Sequence, residues 1–145
     1  MLLGMHCGDE EKAAMVALYC RTAAEAGHDP HAPHVSAGVC QLADRTADAR
    51  ETLMKAMPGW LKQGLDAHVT VDGRIRTMRD PLAYTELLCD LHPVGTPRLA
   101  ADRLAATSER TGITRFALMT EGSGDLAATE ENVRRLGAEV LPRLG

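Results

Sequence analysis

The 145-residue chain is poor in aromatic side chains: they make up 3 % of it, and Trp60, Tyr19, Tyr84 and Phe116 are the full set. That scarcity argues against the stacking platforms on which single-stranded nucleic acids are held. A polybasic block is also lacking. With 16 Lys and Arg against 20 Asp and Glu, the net charge of −4 has the wrong sign for a phosphate-backbone binder. No stretch approaches the ~20 apolar residues needed to cross a bilayer, and the opening "MLLGMHCG" lacks the basic start of a signal peptide. Cys7, Cys20, Cys40 and Cys89 form no C-x-x-C pair, so they read as reduced core thiols rather than a disulfide framework or a zinc site. These absences predict a soluble, cytoplasmic protein. Its length suits one domain that buries roughly two-thirds of its unfolded surface.

What is present alternates between short apolar runs and helical periodicity. Leu2–Cys7 reads as a buried strand ending at Gly8. "DEEKAAMVALYCRTAAEAG" then reads as a helix with Asp9 as its N-cap and three acids in its first turn. Met15, Leu18, Tyr19, Thr22 and Ala26 form its expected buried face, and Gly27 its stop. Val35–Leu42 is small and apolar on both parities, as in a strand covered on both faces. Thr46 is placed to cap the next helix, which Pro58 should kink or divide. Residues 66–81 are polar with Gly and Pro and read as an excursion, and a short helix is expected over Leu82–Leu91.

The pair Thr96–Pro97 is an N-cap followed by an N1 proline, and Gly112 closes the helix that it opens. Ile113–Thr120 is the third strand, "EGSGD" the loop after it, and "LAATEENVRRLGAEVLPRLG" a final helix. Its buried face is expected to carry Val133, Leu136, Val140, Leu141 and Leu144. Strands that alternate with helices in this way imply an α/β fold with parallel strands and crossover helices.

Several stretches resemble one family. "VGTP" opening a helix, a strand ending in "LM", and the final "EENVRRLGAEVLPRL" resemble the C-terminal end of the bacterial luciferase-like, flavin-dependent monooxygenases. "ALYCRTAAEAGHDP" before a small-residue strand resembles the region preceding it, so the likeness runs through essentially the whole chain in order. The resemblance implies a (β/α)8 TIM barrel of about 250 residues or more, of which this chain holds about three parallel strands with their crossover helices. Leu2–Cys7, Val35–Leu42 and Ile113–Thr120 would be the sixth, seventh and eighth strands, and strands one to five would lie elsewhere. It further implies reduced FMN as cofactor, with the deazaflavin coenzyme F420 as the alternative, and a small-molecule substrate. Cut barrel edges cannot stay unpaired. The barrel would therefore be completed by a homo-oligomer, by a second chain carrying the missing strands, or by further residues of a longer reading frame.

In such barrels chemistry sits at the C-terminal ends of the strands. Those ends carry His6 and Cys7, Cys40 and Gln41, and Thr120 to Gly124. His6 and Gln41 are candidates for hydrogen-bonding flavin or substrate, and Glu121 for positioning a polar group. The plainer reading makes all three strand-end residues without a catalytic role. Gly122, Ser123 and Gly124 could form a backbone nest for a cofactor phosphate, although Glu121 and Asp125 would repel one and a simple reversing turn reads at least as well. His28, His31 and His34 share a three-residue spacing. Pro30 and Pro33 break the helix that would align them, so no metal site is expected. A non-catalytic truncated barrel that serves assembly, ligand binding or stabilisation of a full-length homologue is the alternative function.

Overall fold

The computed structural model describes residues 1–67 and 79–145. The described residues form five short parallel strands and five α-helices, with β2 followed directly by β3 and α2 by α3. β1 is Leu2–Leu3, α1 Asp9–Glu25, β2 Val35–Val39, β3 Gln41–Leu42 and α2 Thr46–Asp66. α3 is Pro81–Leu91, β4 Val94–Gly95, α4 Pro97–Thr111, β5 Arg115–Met119 and α5 Leu126–Arg135. The excursion read over 66–81 shrinks at both ends, because α2 runs to Asp66 and α3 starts at Pro81; residues 68–78 lie outside the described residues.

The helix ends follow their sequence signals, with two corrections. Thr96 Oγ1 accepts from Leu99 N at 3.2 Å, and Gly112 closes α4 in the left-handed region at φ +72°. α1, however, is capped by Gly8 and not by Asp9. The Glu11 carboxylate reaches back to Gly8 N at 3.1 Å, while Asp9 turns outward to accept from Thr107 Oγ1 of α4 at 2.9 Å. The second correction concerns Thr46, which is the first helical residue of α2 instead of a cap preceding it. Pro58 does not divide that helix, which is continuous through it.

β1, β2 and β5 form one parallel sheet with β2 in the centre. Leu2 lies beside Val35, and Val35 beside Arg115; the β2–β5 register continues to Val39 beside Met119. The strand expected over Val35–Leu42 breaks at Cys40. Beyond it, Gln41–Leu42 leave the sheet and pair in parallel with Val94–Gly95. Gly95 permits the join: its φ is +155°, and a Cβ there would stand 2.9 Å from Thr46 Oγ1.

Strand alternation sends side chains into two cores. Val39 joins Leu53, Met57, Leu88 and Val94 on the side of α2 and α3. Cys40 and Leu42 join Ala100, Leu104 and Val140 on the side of α4. Towards the N-terminal ends of the strands the same face as Val39, with Leu2, Val35, Ala37, Arg115 and Ala117, has no such cover among the described residues; Leu2 is 71 % exposed, and Arg115 and Ala117 are exposed. In a closed barrel that face would be interior.

Two helical faces also differ from expectation. In α1 the buried residues are Lys12 and Ala23, whereas Leu18 of the expected stripe is 53 % exposed. Tyr19 of the same stripe packs edge-on against His34, with ring centroids 4.9 Å apart. At the C-terminus, a π-helical turn over Leu136–Val140 and a 3-10 turn over Leu141–Arg143 replace the expected continuous helix. Pro142 has no N–H for an α-helical bond. The change of pitch buries Val140 and Asn132, and leaves Val133, Leu141 and Leu144 exposed.

Gly38 and His92 lock the centre of the sheet to the α4 side. A Cβ on Gly38 would meet His92 Nδ1 at 2.7 Å, and His92 Nε2 donates to the Met5 carbonyl at 2.6 Å. Burial of the ring pushes its pKa down to about 4. The unfolded ring protonates near pH 6.5 and the folded one only near 4, so the unfolded state binds the extra proton between those values. Stability should therefore be full above about pH 6.5 and fall by ~3 kcal/mol towards pH 4, as read from urea midpoints across that range. His92→Gln, whose amide can still donate to Met5, should flatten the dependence. Gly38→Ala should lower stability by about 1–3 kcal/mol through overpacking.

Candidate functional site

Main-chain groups just past β2 and β5, and one in β3, are held by one side chain, that of Asn132. It is 2 % exposed. Its Nδ2 donates to the Cys40 carbonyl at 2.7 Å and to the Thr120 carbonyl at 3.1 Å, and its Oδ1 accepts from Leu42 N at 2.9 Å. These are the main-chain groups that lose their ladder partners where β2 and β5 part, and a buried main-chain group must find a partner. A primary amide supplies both signs of hydrogen bond from one residue. Asn132 thus fixes the spacing between the end of β2 and the loop after β5.

That loop, Thr120 to Asp125, is shaped largely by its own side chains. Thr120 N donates to Glu121 Oε2 at 2.9 Å, and Gly124 N to the Glu121 carbonyl at 3.0 Å. Gly124 adopts φ +68°. Asp125 caps α5, accepting from Ala128 N at 2.8 Å. The α5 N-terminus therefore already faces a carboxylate of the chain itself. Gly122 lies against α2, where a Cβ would stand 2.6 Å from Leu53 Cδ2.

Between this loop and α2 lies a cavity of about 230 Å³, lined by Ala56, Met57, Trp60, Met119, Glu121, Gly122 and Gly124. Its walls are mainly apolar. Glu121 is exposed, and Trp60, the sole tryptophan, is 55 % exposed. Three of the sequence candidates, Glu121, Gly122 and Gly124, come together here; Ser123 lies in the same loop, with its Oγ donating to the Asp125 carbonyl at 3.3 Å.

The other candidates lie apart from the cavity lining. His6 is exposed, with its ring folded onto Gly4, where a Cβ would stand 2.8 Å from its Cε1. Gln41 is 6 % exposed and shares the strand face of Val39; its Oε1 has no hydrogen-bond partner among the described residues. Cys40 is buried, which pushes its thiol up to about 12 and removes it as a nucleophile. Of the loop histidines, His28 and His31 are exposed, while His34 is buried with Nδ1 3.1 Å from the Met1 amine.

Sequence reasoning missed Asn132 and the α2 wall. A signal for Asn132 existed: it stands four residues before Leu136 and eight before Val140, on the stripe that is buried. Asn132→Ala leaves two carbonyls and one N–H without partners, and should lower stability by about 2–4 kcal/mol. Chemical denaturation measures this. Asn132→Asp, which keeps the acceptor but loses both donated bonds, should recover little of the loss.

No family model matches the chain, and no curated protein matches it. Solved structures do. It is similar to the oxygenating constituent of 3,6-diketocamphane monooxygenase from Pseudomonas putida, a type II Baeyer–Villiger monooxygenase in complex with FMN. That match has TM-score 0.61 and 23 % identity, over 95 % of this chain and 41 % of that one. It is similar to a monooxygenase from Streptomyces bottropensis, with TM-score 0.69 and 18 % identity over 99 % and 41 %. A riboflavin lyase with modified FMN and riboflavin matches with TM-score 0.60 and 18 % identity over 99 % and 37 %. The chain spans about two-fifths of the length of these proteins. At these identities the likeness is one of fold: the chain is α/β, with three main parallel strands and their crossover helices, and it matches part of the (β/α)8 barrel of these proteins.

Proposed function

We propose that the chain is the closing arc of a flavin-dependent oxidoreductase barrel of the luciferase-like type, acting as a monooxygenase component once the other strands are in place. The cavity at the end of β5 carries this reading, because it lies at the strand end where such barrels hold their chemistry. Two of the similar solved structures name FMN, which makes it the first cofactor to test.

The residues present fit part of that cofactor. Met57, Trp60 and Met119 offer apolar walls for a flat ring or an apolar substrate. The volume lies below the ~300–1,000 Å³ of sites that enclose whole ligands. No cationic side chain lines the cavity, so a phosphate would be held elsewhere in the assembly. A bound reduced flavin would supply the redox chemistry with O₂. The chain's own part is to exclude water with α2 and to present the Glu121 carboxylate at the rim. Gln41 Oε1 stands ready to accept from ligand, water or completing protein, since an unpaired buried acceptor costs about 1–3 kcal/mol.

Trp60 gives a direct assay. Titrating FMN into the chain should quench its fluorescence saturably, and Ala56→Leu, which fills the cavity, should weaken the effect tenfold or more. Absence of both FMN binding and flavin-dependent oxygen uptake would leave the non-catalytic, truncated-barrel reading.

A further inference from the structure

The two open flanks of the sheet complement each other. On one, the unpaired edge of β1 adjoins the outer stripe of α1, where Met15, Leu18, Tyr19, Thr22 and Ala26 line an apolar groove of about 490 Å³. On the other, the unpaired edge of β5 adjoins a groove of about 820 Å³ whose apolar lining includes Leu104, Phe116, Leu118, Leu136, Leu141 and Leu144. In a parallel β/α sheet, the unit that continues past β5 is a parallel strand followed by a helix on the helical side. β1 followed by α1 is such a unit.

Charge matches as well. α1 runs back from the C-terminal end of β1, which puts Arg21 and Glu25 at the N-terminal end of the sheet. Glu109, near the end of α4, and Arg143 line the other groove beside Thr114, which precedes β5. Both pairs therefore lie at the same end of the sheet, and Arg21 and Glu25 can face Glu109 and Arg143 with opposite signs. Among the described residues, Arg21, Glu25 and Glu109 form no ion pair.

We propose that copies of this chain join head to tail, with β1 and α1 of one copy docking on the β5 flank of the next, and that three copies close the ring. The proposal rests on the reading that the barrel must be completed, and it names a second copy as what completes it. A heterologous interface either closes or polymerises. Two copies would bring six main strands, too few for a barrel of about eight; three bring nine, which makes the ring one strand wider than an eight-stranded barrel.

Size-exclusion chromatography with light scattering, run on the full chain without flavin, tests this. The expected mass is three times 15.6 kDa. Leu18→Glu, a change at an exposed site, should give a monomer with an unchanged circular dichroism spectrum. Glu25→Arg and Arg143→Glu should each weaken association several-fold. Combining Glu25→Arg and Arg143→Glu in one chain should restore it, since every interface of the ring then carries the same pair with its signs exchanged. A folded monomer at all concentrations, a two-fold dimer, or single variants that the double change does not rescue would each overturn the proposal. A monomer that still binds FMN would sink the assembly and spare the flavin site; a trimer that binds none would do the reverse.

Discussion

Along the outer edges of β1 and β5, main-chain N–H and C=O groups face away from the sheet without strand partners among the described residues. In a closed barrel those groups pair with the next strands, and the inner side chains pack into layers. Here both conditions are broken together: the edges are open, and the face bearing Leu2, Ala37 and Ala117 lacks cover. Most other features can be understood from this constraint. The exposed stripe of α1, the groove beside β5 and the unpartnered Gln41 oxygen occur where a whole barrel would have neighbours.

Within the arc, order is concentrated at the C-terminal ends of the strands. Val39 and Met119 are covered there by α2 and α3, and Asn132 ties the parting strands together. His92 does the same on the other side of β2, between Gly38 and the Met5 carbonyl. The end of the sheet that would bear chemistry is thus better supported than its open inner face. The cavity is bounded by α2 and by a loop that is capped by its own side chains.

Much of the fold was legible in the sequence, because its local signals are strong and short-ranged. Thr96–Pro97 and Gly112 bracket α4 through capping chemistry that needs only near neighbours. The loop at Glu121 to Gly124 could likewise be placed at a strand end from the order of elements alone. Asp9 shows where such reasoning stops. It is a good cap in isolation, but Thr107 lies 98 residues away in sequence and takes its carboxylate. Asn132 was overlooked for a related reason: its value lies in three main-chain groups on β2, β3 and β5, and periodicity gives no sign of them.

The sequence by itself determined the alternation of strand and helix, the helix boundaries set by Pro, Gly and capping residues, and the strand polarity that follows from the crossovers. These depend on backbone sterics and on hydrogen bonds between near neighbours. Only the tertiary structure decided which helical stripes are buried, where β2 breaks to pair with Val94–Gly95, and which strand-end residues share a cavity. Those outcomes depend on which surfaces meet, and the residues that meet lie far apart in sequence, where local backbone signals do not reach.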